Sequence, residues 1–243
     1  MLYNKTGKEL YYDVAEKLPL IDYHCHLFPE RLAKNYQFTD VYDIFLGRDH
    51  YKWRQMRSFG VPEEYITGNA DGYEKWLMFA RVLPNLIGNP IYHWTALELK
   101  RYFDIDMPLN EETAKEIWDI CNEKLKTPEF SSKSLITRSN VELLCTTDDP
   151  ADDLRYHKQL KEDGFKTRVL PTFRPDNAVN IDKETFIDYI NNNGIKSYDE
   201  LISWLKSRIA FFNENGCRLS DHALDYVPFK LGDANSVFDK RMG

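Results

Sequence analysis

The stretch LPLIDYHCHLF, residues 18–28, decides the fold class. A short apolar run passes directly into polar, ligand-type residues. A buried parallel strand reads this way when its C-terminal end opens into a site. Within it, His24 and His26 stand two apart, and on a strand residues i and i+2 project from the same face. Two imidazoles at that spacing can reach one metal ion, and neutral imidazole nitrogen suits zinc and other divalent transition metals. The alternative is two neighbouring histidines with no ligand. Two ligands alone do not complete a site, since catalytic zinc ordinarily takes three protein ligands and keeps one open position.

Downstream the pattern turns helical. DGYEKWLMFARVLPNLI (71–87) sets Trp76, Leu77, Phe79, Ala80 and Leu83 at helical spacing, and HWTALELKRYF (93–103) does the same with Trp94, Leu97 and Tyr102. Asn110 predicts the start of a third helix, with Glu111 and Glu112 in its first turn. Strand-like runs then return. VELLCTTDDP (141–150) reads as a buried strand, a turn, and a helix opening with Asp149 as cap and Pro150 at the first position. TRVLPTFRPD (167–176) is another strand with a polar exit. SYDELISWLKSRIAFFNENG (197–216) opens on a Ser197/Glu200 capping box and stops at Gly216, and CRLSDHALD (217–225) reads as a fourth strand.

Strands alternating with helices imply a parallel sheet with right-handed crossovers, a requirement that an open doubly wound sheet and a (β/α) barrel both satisfy. The expected organisation is a first segment over 1–28, a helical insertion over 29–138, and strands two to four with their helices over 139–243. Four strands are few for a closed barrel, which needs eight.

Composition narrows the class. The 243 residues are 42% hydrophobic and 29% charged, with a net charge of -7 and no stretch that concentrates Lys and Arg, which argues against nucleic acid as a partner. The four cysteines lack C-x-x-C spacing, as expected of a reduced cytoplasmic protein. The first twenty residues have no apolar core of a signal peptide, and no apolar run is long enough to span a bilayer.

Polar residues gather at the other expected strand exits: Asp148 and Asp149, Arg174 and Asp176, Asp221 and His222. In parallel α/β folds the site lies at the carboxyl ends of the strands. Arg174 is suited to gripping a carboxylate bidentately, or equally to a salt bridge with a nearby acid. Asp176 also reads as a turn residue after Pro175. Arg48 to Arg54 packs charge, imidazole and aromatics together and is either a solvated helical turn or part of the site.

These residues carry a family resemblance. DYHCHL (22–27) resembles the metal-binding first strand of the amidohydrolase superfamily; GRDHYKWRQMR (47–57), LPTFRPD (170–176) and GCRLSDHALD (216–225), in this order, resemble uronate (glucuronate) isomerases. The resemblance implies the N-terminal part of a distorted (β/α)8 barrel. It also implies interconversion of D-glucuronate with D-fructuronate and of D-galacturonate with D-tagaturonate through an enediol. By motif, His24 and His26 match the ligands of a divalent metal, expected to be zinc. Arg174 matches the arginine that holds the sugar-acid carboxylate, with Asp176 beside it as a substrate-binding candidate. Tyr51 matches a tyrosine that handles substrate hydroxyls or a proton, and Asp221 and His222 match a segment expected to take part in catalysis. Family members are nearly twice as long, and their second half brings an aspartate that ligates the metal. The expectation is therefore an N-terminal half that needs a second polypeptide or self-association. A metal-dependent hydrolase and a non-catalytic interaction protein are the competing readings.

Overall fold

The computed structural model describes residues 2–243 apart from Asp225 and Pro228. Two compact units form, one from residues 1–34 together with 139–243, the other from residues 35–138.

The first unit is an α/β layer around three parallel strands, β1 (Leu20–Asp22), β2 (Val141–Cys145) and β3 (Arg168–Leu170), in the spatial order β1-β2-β3. Leu144 pairs with Asp22 on one side and Val169 on the other, which makes β2 central. Its last residues, Leu144 and Cys145, are buried, whereas Leu20 and Ile21 of β1 are 55% and 64% exposed. The expectation of a buried first strand is thus corrected: β1 lies at the margin of the sheet and pairs on one side only among the described residues. Four strands were expected and three form among the described residues. The segment after Gly216 contributes one parallel bridge, Phe173 to Ser220, enclosed by Phe173 N–H to Leu219 O (3.0 Å) and Asp221 N–H to Phe173 O (3.2 Å). A single bridge is too short for a ladder, yet it places this segment next to β3. Asp225, the end of the expected fourth strand, lies outside the described residues.

Helices Arg155–Glu162, Phe186–Asn192 and Tyr198–Glu214 follow the strands. Gly164 and Gly216, at φ +67° and +95°, end the first and last of these in the left-handed conformation that glycine adopts without a Cβ clash. Ser197 caps the long helix through Glu200 N–H (3.2 Å), while the Glu200 carboxylate takes Lys196 N–H, one residue outside a full capping box. The helix expected from Pro150 begins only at Arg155. Asp149 instead accepts from Ala151 N–H, Asn177 Nδ2 and the Tyr189 hydroxyl, so it pins a turn rather than a helix end.

The second unit is built from helices, with one antiparallel bridge between Gln37 and Ser131. Helix Gly72–Val82, with a complete capping box between Asp71 and Glu74, buries Trp76, Phe79 and Ala80. The Trp76 indole also donates to Ala114 O at 3.0 Å, so its polar atom is satisfied at depth. Helix Pro90–Phe103 buries Ile91, Thr95, Leu99 and Phe103, leaving Trp94 and Leu97 about half exposed. Both stripes share the 3.6-residue period, and only the neighbouring helices decide which is covered. Among the described residues no helix is long and apolar enough to cross a membrane.

Behind the β2 exit lies a buried polar chain. Thr146 Oγ1 donates to Asp148 Oδ2 (2.7 Å) and stands 2.8 Å from His157 Nε2. One hydroxyl proton cannot serve both partners, so His157 carries its proton on Nε2 and donates to Thr146. Asp148 Oδ2 also accepts Thr172 N–H at 3.1 Å. Burial pushes Asp148 up to about 6 against the lowering pull of Thr146 and Thr172, and burial holds His157 down to about 4.

Trp76→Ala should cost about 3–5 kcal/mol in urea unfolding of the helical unit, while Trp94→Ala stays within about 0.5 kcal/mol of wild type. For the buried chain, the two shifts oppose each other. A histidine with a lowered folded pKa loses stability as pH falls from its unfolded to its folded value; a carboxylate with a raised pKa gains as pH falls below about 6. Removing the histidine leaves only the gain. The stability advantage of wild type over His157→Gln should therefore shrink by about 2–3 kcal/mol between pH 7 and pH 4.5, measured by denaturant unfolding at both values. A constant difference would show that His157 does not titrate in this way.

Candidate functional site

His24 and His26 lie just past β1, not within it as the strand reading required. They nevertheless keep a strand-like setting because Cys25 between them is bonded to β2 and to the residues just past it. Its N–H donates to Cys145 O (3.0 Å), and its carbonyl accepts the Thr147 hydroxyl (2.7 Å). Asp22 Oδ1 accepts His24 N–H at 3.3 Å. The result is convergence: His24 Nε2 and His26 Nε2 are 3.2 Å apart, with ring planes at 89°. Two zinc–imidazole bonds of about 2.0–2.1 Å at a tetrahedral angle separate their nitrogens by about 3.4 Å, so the pair fits two corners of such a site. Among the described residues no group of three or more His, Cys, Asp or Glu is arranged to hold a metal. Burial pushes the Cys25 thiol up to about 12, which keeps it protonated at neutral pH. All four cysteines are free.

Asp221 approaches from the segment beside β3. Its Oδ2 is 3.1 Å from His24 Nδ1 and 3.7 Å from Arg174 Nη1. Arg174 Nε in turn donates to Asp176 Oδ2 at 2.8 Å, and Ala223 N–H reaches both Asp176 oxygens at 3.2 Å. Arg174 is positioned through its backbone as well, with its N–H donating to Asp148 O at 2.9 Å. His24, His26, Arg174, Asp176 and Asp221 are thus gathered at the C-terminal ends of the strands. The guanidinium is only 22% exposed and flanked by two carboxylates. His222, next to Asp221, is exposed.

Tyr51 belongs to the helical unit, on helix His50–Ser58, whose start Asp49 caps through Tyr51 and Lys52 N–H groups (3.0 Å each). The Arg48-to-Arg54 run is therefore mainly a helical turn. Lys52 is buried, 3.3 Å from Asp49 and 3.4 Å from Glu98, with its ammonium over the Phe45 ring at 5.1 Å. That contact anchors the helix and leaves Tyr51 half exposed, stacked on His50 at 4.2 Å.

Sequence reasoning missed Thr147 and the Thr146–His157 chain. The available signal was the run of polar residues after β2, which reads as a turn; nothing in the sequence pairs Thr147 with a carbonyl 122 positions away.

The family model for glucuronate isomerase matches residues 1–243. The uronate isomerase of Endomicrobium trichonymphae is 49% identical over 100% of this chain and 54% of its own length; that of Caldicellulosiruptor saccharolyticus is 51% identical over 99% and 52%. The chain spans about half the length of the curated relatives it matches. Among solved structures, the uronate isomerase of Thermotoga maritima aligns with a TM-score of 0.90 at 38% identity, over 99% of this chain and 55% of that one. The glucuronate isomerase of Caulobacter crescentus aligns at 0.84 and 26% identity, over 93% and 51%. A match along every residue, joined to an α/β layer of the same shape, assigns the chain to the glucuronate isomerase family.

Proposed function

We propose that this chain supplies the metal-holding and carboxylate-holding residues of a uronate isomerase, within the N-terminal part of a (β/α)8 barrel. The observation that carries the reading is the gathering of two imidazole nitrogens 3.2 Å apart and a guanidinium around one carboxylate, Asp221. The strand order supports the barrel. In a doubly wound sheet the order reverses beside the first strand, whereas here β1, β2, β3 and the Ser220 bridge succeed one another without reversal.

The proposed substrates are hexuronates, D-glucuronate going to D-fructuronate and D-galacturonate to D-tagaturonate. Such an isomerisation moves a proton between C2 and C1 of the open-chain sugar acid through an enediol. It calls for a fixed chain, a proton carrier and stabilisation of the oxygen on which charge develops. Arg174 fixes the chain by pairing with the substrate carboxylate. Asp176 already bonds Arg174 and Ala223, so its contribution is to aim the guanidinium. His24 and His26 hold a divalent cation, zinc by ligand type, and the bound cation supplies a Lewis acid for the developing oxygen charge. The sequence motif gives Tyr51 the handling of substrate hydroxyls or a proton, and makes the Asp221–His222 segment part of the catalytic site. The exposed apolar residues of β1 support a partner that covers them, either a polypeptide equivalent to the rest of the relatives' length or a second copy. Free cysteines and the lack of C-x-x-C spacing support a cytoplasmic setting.

The test is a coupled assay for ketouronate formation from D-glucuronate and D-galacturonate. The chain is assayed alone and with the C-terminal half of the Caldicellulosiruptor saccharolyticus relative. Turnover in the reconstituted pair is expected. In that pair Arg174→Met should lower kcat/KM about 10- to 100-fold, chiefly through KM, because one charge-assisted contact is lost. The paired substitution of His24 and His26 by Ala should abolish zinc-dependent turnover. Undiminished kcat/KM in Arg174→Met would overturn the carboxylate role.

A further inference from the structure

We infer that Asp221 is a positioning residue that joins the two ends of the site, so that a sugar acid held at Arg174 tightens the metal held by His24 and His26. The inference rests on the metal and carboxylate roles proposed above.

Its first support is the tautomer. A neutral imidazole has one N–H. With the Asp221 carboxylate 3.1 Å from Nδ1, His24 places its proton there, and Nε2 keeps the lone pair. Nε2 is also the atom 3.2 Å from His26 Nε2. Asp221 thus sets both the ring orientation and the protonation form that a metal requires, as carboxylates behind metal-bound histidines do.

The second support is competition for one oxygen. Oδ2 of Asp221 serves His24 Nδ1 at 3.1 Å and faces Arg174 Nη1 at the longer 3.7 Å. Arg174 has a better partner in Asp176 at 2.8 Å, so the guanidinium is already aimed when Asp221 is shared. An anionic ligand on the guanidinium draws it from Asp221 and leaves Oδ2 to His24 alone. The imidazole then becomes a stronger donor to metal. By linkage, the metal improves binding of the anion by the same factor.

The third support is the other oxygen. Asp221 Oδ1 is buried and has no hydrogen-bond partner among the described residues. A carboxylate oxygen in that condition carries an uncompensated desolvation cost, which a small shift of the carboxylate toward a ligand hydroxyl or toward Arg174 relieves. Asp221 therefore has reason to move when the site fills.

The experiment uses the full chain in zinc-buffered solution. Zinc affinity is measured by competition with a chromogenic chelator, without and with D-gluconate, a sugar acid that has no carbonyl to isomerise. Wild type should bind zinc, and gluconate should tighten that binding about fivefold, within the usual range of coupling. Asp221→Asn should weaken zinc about 10- to 100-fold and bring the gluconate effect to about one. Asp221→Glu should restore part of both. Nitrogen-15 shifts of the metal-free chain read the tautomer directly, and should show His24 protonated on Nδ1 in wild type. Protonation on Nε2 would overturn the inference whether or not any variant folds. Zinc binding that survives removal of His24 and His26 would sink the metal reading. His-dependent zinc binding with the gluconate effect intact in Asp221→Asn would sink the inference alone.

Discussion

Cys25 makes two bonds to β2 and its exit, donating its N–H to Cys145 and accepting the Thr147 hydroxyl at its carbonyl. Both His24 and His26 flank this residue, so their backbone is fixed on either side of a single anchored position. The strand proper has ended by Asp22, and without the anchor the two imidazoles would ride on an unpaired segment. The same exit of β2 holds the next strand's functional end, since Asp148 accepts Arg174 N–H through its carbonyl and Thr172 N–H through its side chain. A single four-residue stretch, Cys145 to Asp148, therefore sets the spacing between the imidazole pair and the guanidinium.

Electrostatics at the site follows from that placement. Arg174 is flanked by Asp176 and Asp221, and these two carboxylates compensate part of the hydration lost by a side chain only 22% exposed. Behind the site the chain from His157 through Thr146 to Asp148 is buried, with the histidine held neutral by burial. Thr146 Oγ1 ties His157 Nε2 to Asp148 Oδ2, which Thr172 N–H also reaches, and these bonds make the relay a rigid backing for the strand ends.

Much of the arrangement was legible in the sequence. The polar residues after the apolar runs located the exits of the three strands that form, because burial and ligand chemistry leave opposite signatures side by side, whereas the run after Gly216 makes only a single bridge. Gly164 and Gly216 marked helix ends since only their backbone takes a left-handed turn cheaply. The covered face of helix Pro90–Phe103 was not legible, for periodicity supplies a stripe but not its neighbours. Asp149 reads as a cap from its place before Pro150, yet side chains far along the chain, Asn177 and Tyr189, claim its oxygens. Thr147 escaped notice for the same reason: a hydroxyl-to-carbonyl bond across two strands leaves no local pattern.

The strands lie side by side in the order in which the chain is made. A ribosome delivers β1, then the helices that follow it, then β2 and β3, and each arriving strand finds its template already present. No segment has to wait for a distant partner before it docks, so the sheet can grow by accretion at one margin as synthesis proceeds. The cost of this order is borne at β1, whose outer margin stays bare throughout and depends on whatever finally comes to lie beside it.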